Sequence, residues 1–171
     1  MRVLRRRSYG MEENMEDKVD QILDIQEEIV QYIVVKLGGE QYGIDIAFVD
    51  NIVRMQQITR VAKSQEYYVG VINLRGEVVP IMSLRRRFDL EDIDYTHMTR
   101  IIIVRMEDQS RVGFIVDEVR EVVDIEVDTI EVPNFKLDDK KAAYLAGIGK
   151  KGQSLISLLD IQAVVEEKKK A

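Results

Sequence analysis

Residues 70–85 read GVINLRGEVVPIMSLR, two apolar runs separated by Arg75-Gly76. Two β-prone runs joined by a two-residue turn that contains glycine are typical of a β-hairpin. Pro80 has no backbone N–H for a ladder, so it indicates an edge strand or a bulge in the second run. The stretch therefore predicts a hairpin with the long cationic side chain of Arg75 at its tip, although an exposed turn arginine carries no functional information by itself.

The segments around this hairpin are also typical of β-structure. Residues 32–37 lead into Gly38-Gly39, after which apolar side chains alternate with polar or small ones over residues 42–46. This pattern predicts a second two-residue hairpin. Residues 101–104 and 112–116 flank a polar turn and predict a third. Many short strands at close intervals favour small closed barrels, because closure removes exposed strand edges.

The later strands repeat the earlier ones. Gly43 and Gly113 lie 113 − 43 = 70 residues apart, whereas Gly76 and Gly152 lie 152 − 76 = 76 apart, which predicts an insertion of about six residues near 133–141. Each unit, of about 65 to 70 residues, would be only marginally stable alone, so we expect the two units to share an interface. A groove at their junction would be the natural binding site.

Both ends of the chain predict short peripheral helices. Residues 11–31 are acidic with apolar side chains near helical spacing, which indicates an amphipathic helix or a frayed leader. At the other end Asp160 is a candidate N-cap, and Lys168–Lys170 would suit the negative end of a helix dipole.

Composition narrows the function classes. The 171 residues contain 25 basic and 31 acidic side chains, one histidine and no cysteine. No apolar run approaches the roughly 18 residues of a membrane helix, so we expect a cytosolic protein without membrane insertion. His97 has neither a second histidine nor a cysteine to complete a metal or nucleophile set, so we expect no catalytic residue, metal or cofactor. The runs Arg5–Arg7 and Arg85–Arg87 leave a nucleic-acid binder open, but acidic sequence follows each and a solvated helical turn explains the second.

The 70–85 stretch closely resembles the signature of the CheW family: a glycine, an apolar pair, Asn-Leu-Arg-Gly, then Val-Pro and a Leu-Arg ending. The resemblance extends over roughly Gln31 to Val165. Its further matching segments are Glu40–Ile46, Val112-Gly113, Asp117, Val119, Tyr144–Gly147 and Leu158–Ile161.

This resemblance implies a mainly β fold of two five-stranded SH3-like barrels related by the internal repeat, with short peripheral helices at the N- and C-terminal ends. The implied division is a leader over 1–30, a CheW-like domain over 31–165 and a charged tail over 166–171. Within the domain, we expect the first barrel at about 31–90, the second at about 98–160, and a C-terminal helix that packs back.

The resemblance also implies a function. CheW proteins bind the cytoplasmic tip of methyl-accepting chemotaxis receptors and the regulatory domain of the CheA kinase, without activity of their own. We therefore expect an adaptor that is a monomer when free and is recruited to receptor arrays at the inner membrane face. A CheV-like adaptor portion, a detached kinase regulatory domain and, from another class, a small-barrel nucleic-acid binder remain as alternatives.

Site residues follow from the matched positions. The receptor-binding positions are Arg75, Val49, Asn51 and Asn73. The kinase-binding positions are Gly70, Val71 and Asp50 in the first unit and Glu131 and Phe135 in the second. Many relatives have a glutamate where this chain has Asn51, which puts an ion pair between that position and Arg75 in question. Ser83 likewise replaces a frequent aspartate.

Overall fold

A computed structural model describes residues 28–132 and 140–166. Over these ranges the chain forms the strands β1 (Ile29–Leu37), β2 (Glu40–Asp45), β3 (Val49–Arg54), β4 (Tyr68–Leu74), β5 (Glu77–Ser83), β6 (Arg100–Arg105), β7 (Arg111–Val116), β8 (Glu118–Glu126), β9 (Leu145–Lys151) and β10 (Ser154–Leu159). Two short α-helices, α1 (Leu84–Arg87) and α2 (Ile161–Val165), and 3-10 turns at Ile46–Phe48, Val127–Thr129 and Lys140–Tyr144 complete the fold.

The hairpins predicted from the turn residues are confirmed. β1 and β2 pair antiparallel across Gly38-Gly39, and Gly38 has a φ of 60°. β4 and β5 pair across Arg75-Gly76, with φ values of 52° and 85°. Positive φ at both central residues defines the type I′ turn, whose twist suits flanking strands. Pro80 of β5 faces Val71 of β4. The parallel pairing of β5 with β7 begins at the next residue and spans residues 81–83.

The strands form two five-stranded sheets. Sheet A has the order β8-β1-β2-β10-β9, and sheet B has the order β3-β6-β7-β5-β4. Each sheet therefore takes strands from both halves of the chain. This corrects the predicted division into barrels at about 31–90 and 98–160, because β1 and β2 pair with strands of the second half while β6 and β7 pair with strands of the first. The mainly β class and the two five-stranded units are confirmed.

The internal repeat appears as matching strand orders. Replacing β3, β6, β7, β5 and β4 by β8, β1, β2, β10 and β9 converts the order of sheet B into that of sheet A. Strand register also corrects one predicted equivalence. Leu74 faces Glu77 across one turn and Lys151 faces Ser154 across the other, so Gly152 corresponds to Arg75, at an offset of 152 − 75 = 77. The second hairpin consequently has no arginine at its tip.

Apolar side chains collect in three clusters because alternate residues of each strand face opposite sides. The interior of sheet A contains Tyr32, Val34, Val123, Ile125, Ile156 and Leu158. The interior of sheet B contains Ile72, Val79, Ile81, Ile101, Ile103 and Ile115. The largest cluster, the central core, lies between the sheets and includes Ile33, Val35, Ile44, Ile102, Val104, Phe114, Ile161 and Val164.

Each sheet curls until its two edges meet at one bridge. Thr59, beyond the end of β3, exchanges backbone hydrogen bonds of 2.9 and 2.8 Å with Val71 of β4. Glu131, beyond the end of β8, exchanges bonds of 3.0 and 2.7 Å with Ile148 of β9. The result is a pair of SH3-like subdomains whose edges touch without a continuous ladder.

The C-terminal helix packs back on the sheets. Asp160 is its N-cap and accepts a hydrogen bond from the backbone N–H of Ala163, while Ile161 and Val164 are buried in the central core. Nearly all of the predicted N-terminal helix, as well as Lys168–Lys170, lies outside the described residues. None of the helices in the described ranges is long and apolar enough to cross a membrane.

Candidate docking surfaces

The tip of the β4–β5 hairpin presents Arg75. Its side chain is exposed and makes no ion pair or hydrogen bond to any described residue. Asn73 supports the turn from below, since its Oδ1 accepts a hydrogen bond from the Gly76 N–H at 2.9 Å. The side-chain carbonyl oxygen of Asn73 is therefore engaged within the turn. This hydrogen bond supports the turn backbone that carries the cationic side chain of Arg75.

Arg75 lies at one side of a shallow depression on sheet B. The depression is lined by Asp50, Asn51, Leu74, Arg75, Glu77 and Arg111. The structure thus brings together two of the predicted receptor-binding residues, Arg75 and Asn51, and one predicted kinase-binding residue, Asp50. Asp50 and Asn51 lie on β3, one edge strand of sheet B, and Leu74, Arg75 and Glu77 belong to the β4–β5 hairpin at the other edge. Arg111 begins β7.

The other charges in this depression are paired. Asp50 accepts from Arg105 at 3.0 Å and lies 3.3 Å from the Nε of Arg111. Arg111 also pairs with Glu77. Because the carboxylates are held by Arg105 and Arg111, Arg75 is the cation of this cluster that has no acidic partner among the described residues.

Asn51 and Val49 lie next to Asp50 on β3. The Asn51 Oδ1 accepts a hydrogen bond at 2.9 Å from the N–H of the next residue, Ile52, at a bulge in the pairing with β6. Its side chain thus satisfies an edge-strand donor rather than Arg75. Val49 is half-buried and packs on the central core, whereas Ile52 is 39% exposed.

Gly70 and Val71 lie where the edges of sheet B meet. A Cβ on Gly70 would stand 2.2 Å from the carbonyl oxygen of Thr59, so only glycine permits the bridge between Thr59 and Val71. Gly147 has the corresponding position in sheet A, with Glu131 O 3.0 Å from a Cβ built on it. The glycine of the family motif therefore has a structural reason.

Glu131 takes part in the matching bridge of sheet A. Its carboxylate accepts a hydrogen bond from Lys150 at 3.0 Å, and both side chains are exposed. The predicted kinase positions Val71 and Glu131 thus lie at the equivalent bridges of the two subdomains, Val71 on the β4 strand of one and Glu131 beyond the end of β8 in the other. Phe135 lies outside the described residues.

The sequence did not predict the role of Arg85. Its guanidinium donates to both carboxylate oxygens of Asp117, at 2.8 and 2.6 Å, and the second of these oxygens also accepts from the Gly38 N–H at 2.8 Å. Burial raises the pKa of Asp117, but these hydrogen bonds outweigh it and hold the pKa below its ordinary value. Arg85 ends the 70–85 segment that matches the CheW family, and Asp117 is a matching position further along the chain. Their joint presence is the sequence signal from which this ion pair could have been predicted.

The interpretation of Arg85–Arg87 as a solvated turn needs correction. Arg86 pairs with Asp92 at 3.0 Å. Arg87 lies over the rings of Tyr67 and Tyr144 and donates to carbonyl oxygens at the end of α2. The run forms one helical turn whose three guanidinium groups are all engaged within the protein.

Within the ranges that the structure describes, no group of three or more His, Cys, Asp or Glu side chains could hold a metal ion. The buried side-chain polar atoms described all have hydrogen-bond partners.

Comparison with known proteins identifies the family. A family model described as a CheW-like domain matches residues 31–169. The chain is 34% identical to the chemotaxis protein CheW of Klebsiella aerogenes over 142 residues, which cover 82% of this chain and 84% of that protein. It is 35% identical to CheW of Helicobacter pylori with the same coverage. The crystal structure of the scaffolding protein TtCheW from Thermoanaerobacter tengcongensis superposes with a TM-score of 0.74 and 31% identity, covering 84% of this chain and 92% of that one. The chain therefore belongs to the CheW family of chemotaxis scaffold proteins.

Proposed function

We propose that this chain couples the cytoplasmic tip of a methyl-accepting chemoreceptor to the regulatory domain of the CheA kinase. It does so by binding alone, without chemistry and without a cofactor. The free protein is a monomer in the cytoplasm and joins receptor arrays at the inner membrane face through these partners.

The observation that carries the proposal is the state of Arg75. A guanidinium without an acidic partner among the described residues stands on a turn beside Asn51, while the neighbouring cation Arg111 is already neutralised. An exposed cation held in place can orient a charged partner with little loss of side-chain entropy. This arrangement suits recognition of an acidic or carbonyl-rich segment.

β3 supplies an apolar contact beside this cation. Ile52, directly after Asn51, is 39% exposed at the sheet edge, and Val49, two residues before Asn51, is half-buried. A helical partner could lay its apolar face along β3 while Arg75 fixes its orientation, which is helix-in-groove recognition. The receptor tip is the partner that we assign to this surface.

The places where the sheet edges meet supply the kinase contacts in this proposal. Val71 with Gly70 occupies one, and Glu131 occupies the other. An exposed valine follows each bridge, Val61 at 50% and Val132 at 78%. Two such surfaces on one molecule would each bind a kinase domain, while the receptor binds at Arg75.

Charge reversal at Arg75 tests the receptor assignment. Arg75→Glu should weaken binding to a receptor signalling fragment by about 1–3 kcal/mol, because a partner group that met a cation would meet an anion. Binding to the kinase regulatory domain should persist. Co-sedimentation of the full chain with each partner measures both.

Arg60→Glu is the matched control for receptor binding. Arg60 is an exposed arginine in the loop between β3 and β4 and lies outside this depression. Receptor binding by Arg75→Glu equal to that of Arg60→Glu would remove Arg75 from the mechanism. A wild-type chain that bound neither partner would refute the function as a whole.

The nucleic-acid alternative has less support. Arg85, Arg86 and Arg87 each have partners within the protein, so contact with phosphates would require these pairs to break. A gel shift with RNA and DNA at moderate salt would detect such binding.

A further inference from the structure

The helix α1 lies between the two sheets and directs three consecutive arginines to different places. Successive residues of a helix point about 100° apart, so Arg85, Arg86 and Arg87 cannot share a target. Arg86 donates hydrogen bonds to the Asp92 carboxylate and to the carbonyl oxygen of Glu66. Arg85 and Arg87 each reach elements of sheet A.

Arg85 reaches sheet A through Asp117. The Asp117 carboxylate accepts from Arg85 and from the Gly38 N–H of the β1–β2 turn, and the Asp117 N–H donates to Lys36 of β1 at 3.1 Å. This contact fixes one side of the boundary between the sheets.

Arg87 reaches the end of the helix that follows β10. Its Nε donates to the Val164 carbonyl oxygen at 2.8 Å, and its Nη2 donates to that of Glu166 at 2.6 Å. The carbonyl oxygens at a helix C-terminus have no partner within the helix and carry partial negative charge, so a cation suits them. One side chain therefore binds two carbonyl oxygens at the last turn of α2.

Two aromatic rings hold the guanidinium itself. Its central carbon lies 4.2 Å from the ring centroid of Tyr67, just before β4, and 4.9 Å from that of Tyr144, just before β9. Cation–π contact and bidentate donation both depend on the planar group that arginine has and lysine lacks. Tyr144 continues the stack to Phe88, with centroids 5.4 Å apart.

The helix α2 depends on such contacts. It has five residues, and an isolated helix of that length does not persist in water. Its buried residues Ile161 and Val164 belong to the central core between the sheets. Loss of the Arg87 contacts would loosen one side of this layer while the Arg85–Asp117 contact held the other.

We propose that Arg87 is a positioning residue that sets the orientation of the two subdomains relative to each other. The functional consequence of this inference rests on the proposed adaptor function. In that function the receptor surface at Arg75 lies on sheet B, and one of the two kinase surfaces, at Glu131, lies on sheet A. Simultaneous binding of a receptor at Arg75 and of a kinase domain at Glu131 then depends on the angle that Arg87 fixes.

The distance between the sheets tests the structural part. The chain has no cysteine, so Val78→Cys in β5 and Leu155→Cys in β10, both exposed strand positions, accept one spin label each. Arg87→Ala should widen the distance distribution by about twofold in the folded protein. Arg86→Ala should leave it unchanged, because the hydrogen bonds and ion pair that the structure describes for Arg86 go to Asp92 and Glu66 and not to sheet A.

Arg87→Lys covers the case in which Arg87→Ala does not fold. Lysine keeps the charge but loses the planar stacking and one hydrogen bond, so an intermediate width is expected. Distributions as narrow as that of the wild type in the folded Arg87 variants would overturn the proposal. Equal widening by Arg86→Ala would also overturn it, since the effect would then be general loosening of α1.

A binding measurement tests the consequence, using the unlabelled full chain. Arg87→Ala should bind the receptor fragment and the kinase regulatory domain separately within about twofold of wild type. Assembly of the three-component complex should fall by about tenfold, because the two bound partners lose their mutual orientation. Equal losses in separate and joint binding would contradict positioning by Arg87. A wild-type chain that formed no three-component complex would refute the adaptor function, while the label distances would still report on Arg87.

Discussion

At the scale of single residues, the turn at Arg75-Gly76 combines a favoured turn type with an unfavourable residue. Arg75 has a φ of 52°, in the left-handed region where a β-carbon crowds the backbone. Asparagine and glycine tolerate this region best, and Asn-Gly is a preferred type I′ pair. The hairpin therefore carries strain in exchange for a long cation at its tip.

Arg75→Asn should stabilise the protein by about 0.5–1 kcal/mol, because it relieves this strain. The gain should appear as a higher urea midpoint with an unchanged slope. Arg75→Ala has the same backbone cost as arginine and is the matched control, so it should fall within about 0.5 kcal/mol of wild type. Equal stability of the asparagine and alanine variants would show that the turn is not strained.

Asp117 makes stability depend on pH. Its pKa is lowered from the ordinary value of 3.8 because the hydrogen bonds from Arg85 and Gly38 outweigh the effect of burial. A carboxyl group whose pKa is depressed in the folded state stabilises the protein above the unfolded value, and this contribution is lost as the pH falls through the folded value.

Asp117→Asn should therefore cost roughly 2 kcal/mol at pH 7, and the difference from wild type should shrink as the pH falls below about 4. Urea unfolding at a series of pH values measures it. Asp92→Asn, at a more exposed ion pair with Arg86, should cost less. A constant difference between Asp117→Asn and wild type down to pH 3 would exclude the carboxylate charge as the cause.

At the scale of elements, the bridge between Thr59 and Val71 requires a glycine beside it. The backbone of Thr59 passes so close to Gly70 that a β-carbon there would contact its carbonyl oxygen at 2.2 Å. Because a backbone atom cannot move aside cheaply, the bridge must open when the side chain grows.

Gly70→Ala should destabilise the protein by about 2–3 kcal/mol and increase amide exchange at Thr59 and Val71. Gly39→Ala is the control, since nothing lies within 4 Å of a β-carbon there. A loss of kinase binding by Gly70→Ala would then follow from the opened bridge. Retained bridge protection with weaker kinase binding would instead make Gly70 a direct contact.

At the scale of the whole molecule, the two halves of the chain are interlaced. Strands β1 and β2 lie in sheet A with three strands of the second half, and β6 and β7 lie in sheet B with three strands of the first. Neither half contains a complete subdomain, although each contains five strands.

A chain divided in the link at residue 94 should therefore give fragments 28–94 and 95–166 that do not fold separately. When mixed they should assemble, because every sheet pairing can then form. Circular dichroism and amide exchange of each fragment and of the mixture measure this. A fragment that folded cooperatively alone would show that its strands can pair within one half.

The strands, the hairpins and the C-terminal helix could be predicted from the amino-acid sequence. Two-residue turns with glycine, apolar alternation and N-caps such as Asp160 act over a few residues, so strands, hairpins and the C-terminal helix could be read from residue order. The family motif likewise selected Gly70 and Arg75, and the 70-residue offset revealed the repeat. The turns, the alternation and the N-caps depend on short-range geometry, whereas the motif and the offset come from comparing segments of sequence.

The pairing of the strands could not be predicted from the sequence. A repeat of two similar units is compatible with separate barrels or with interlaced ones, because equivalent strands have the same local pattern and differ only in their partners. The contacts of Arg85 with Asp117 and of Arg87 with Tyr67, Tyr144 and α2 join residues up to 79 positions apart. Such contacts arise from the packing of the sheets, which is why three arginines that were predicted to be solvated are all engaged within the protein.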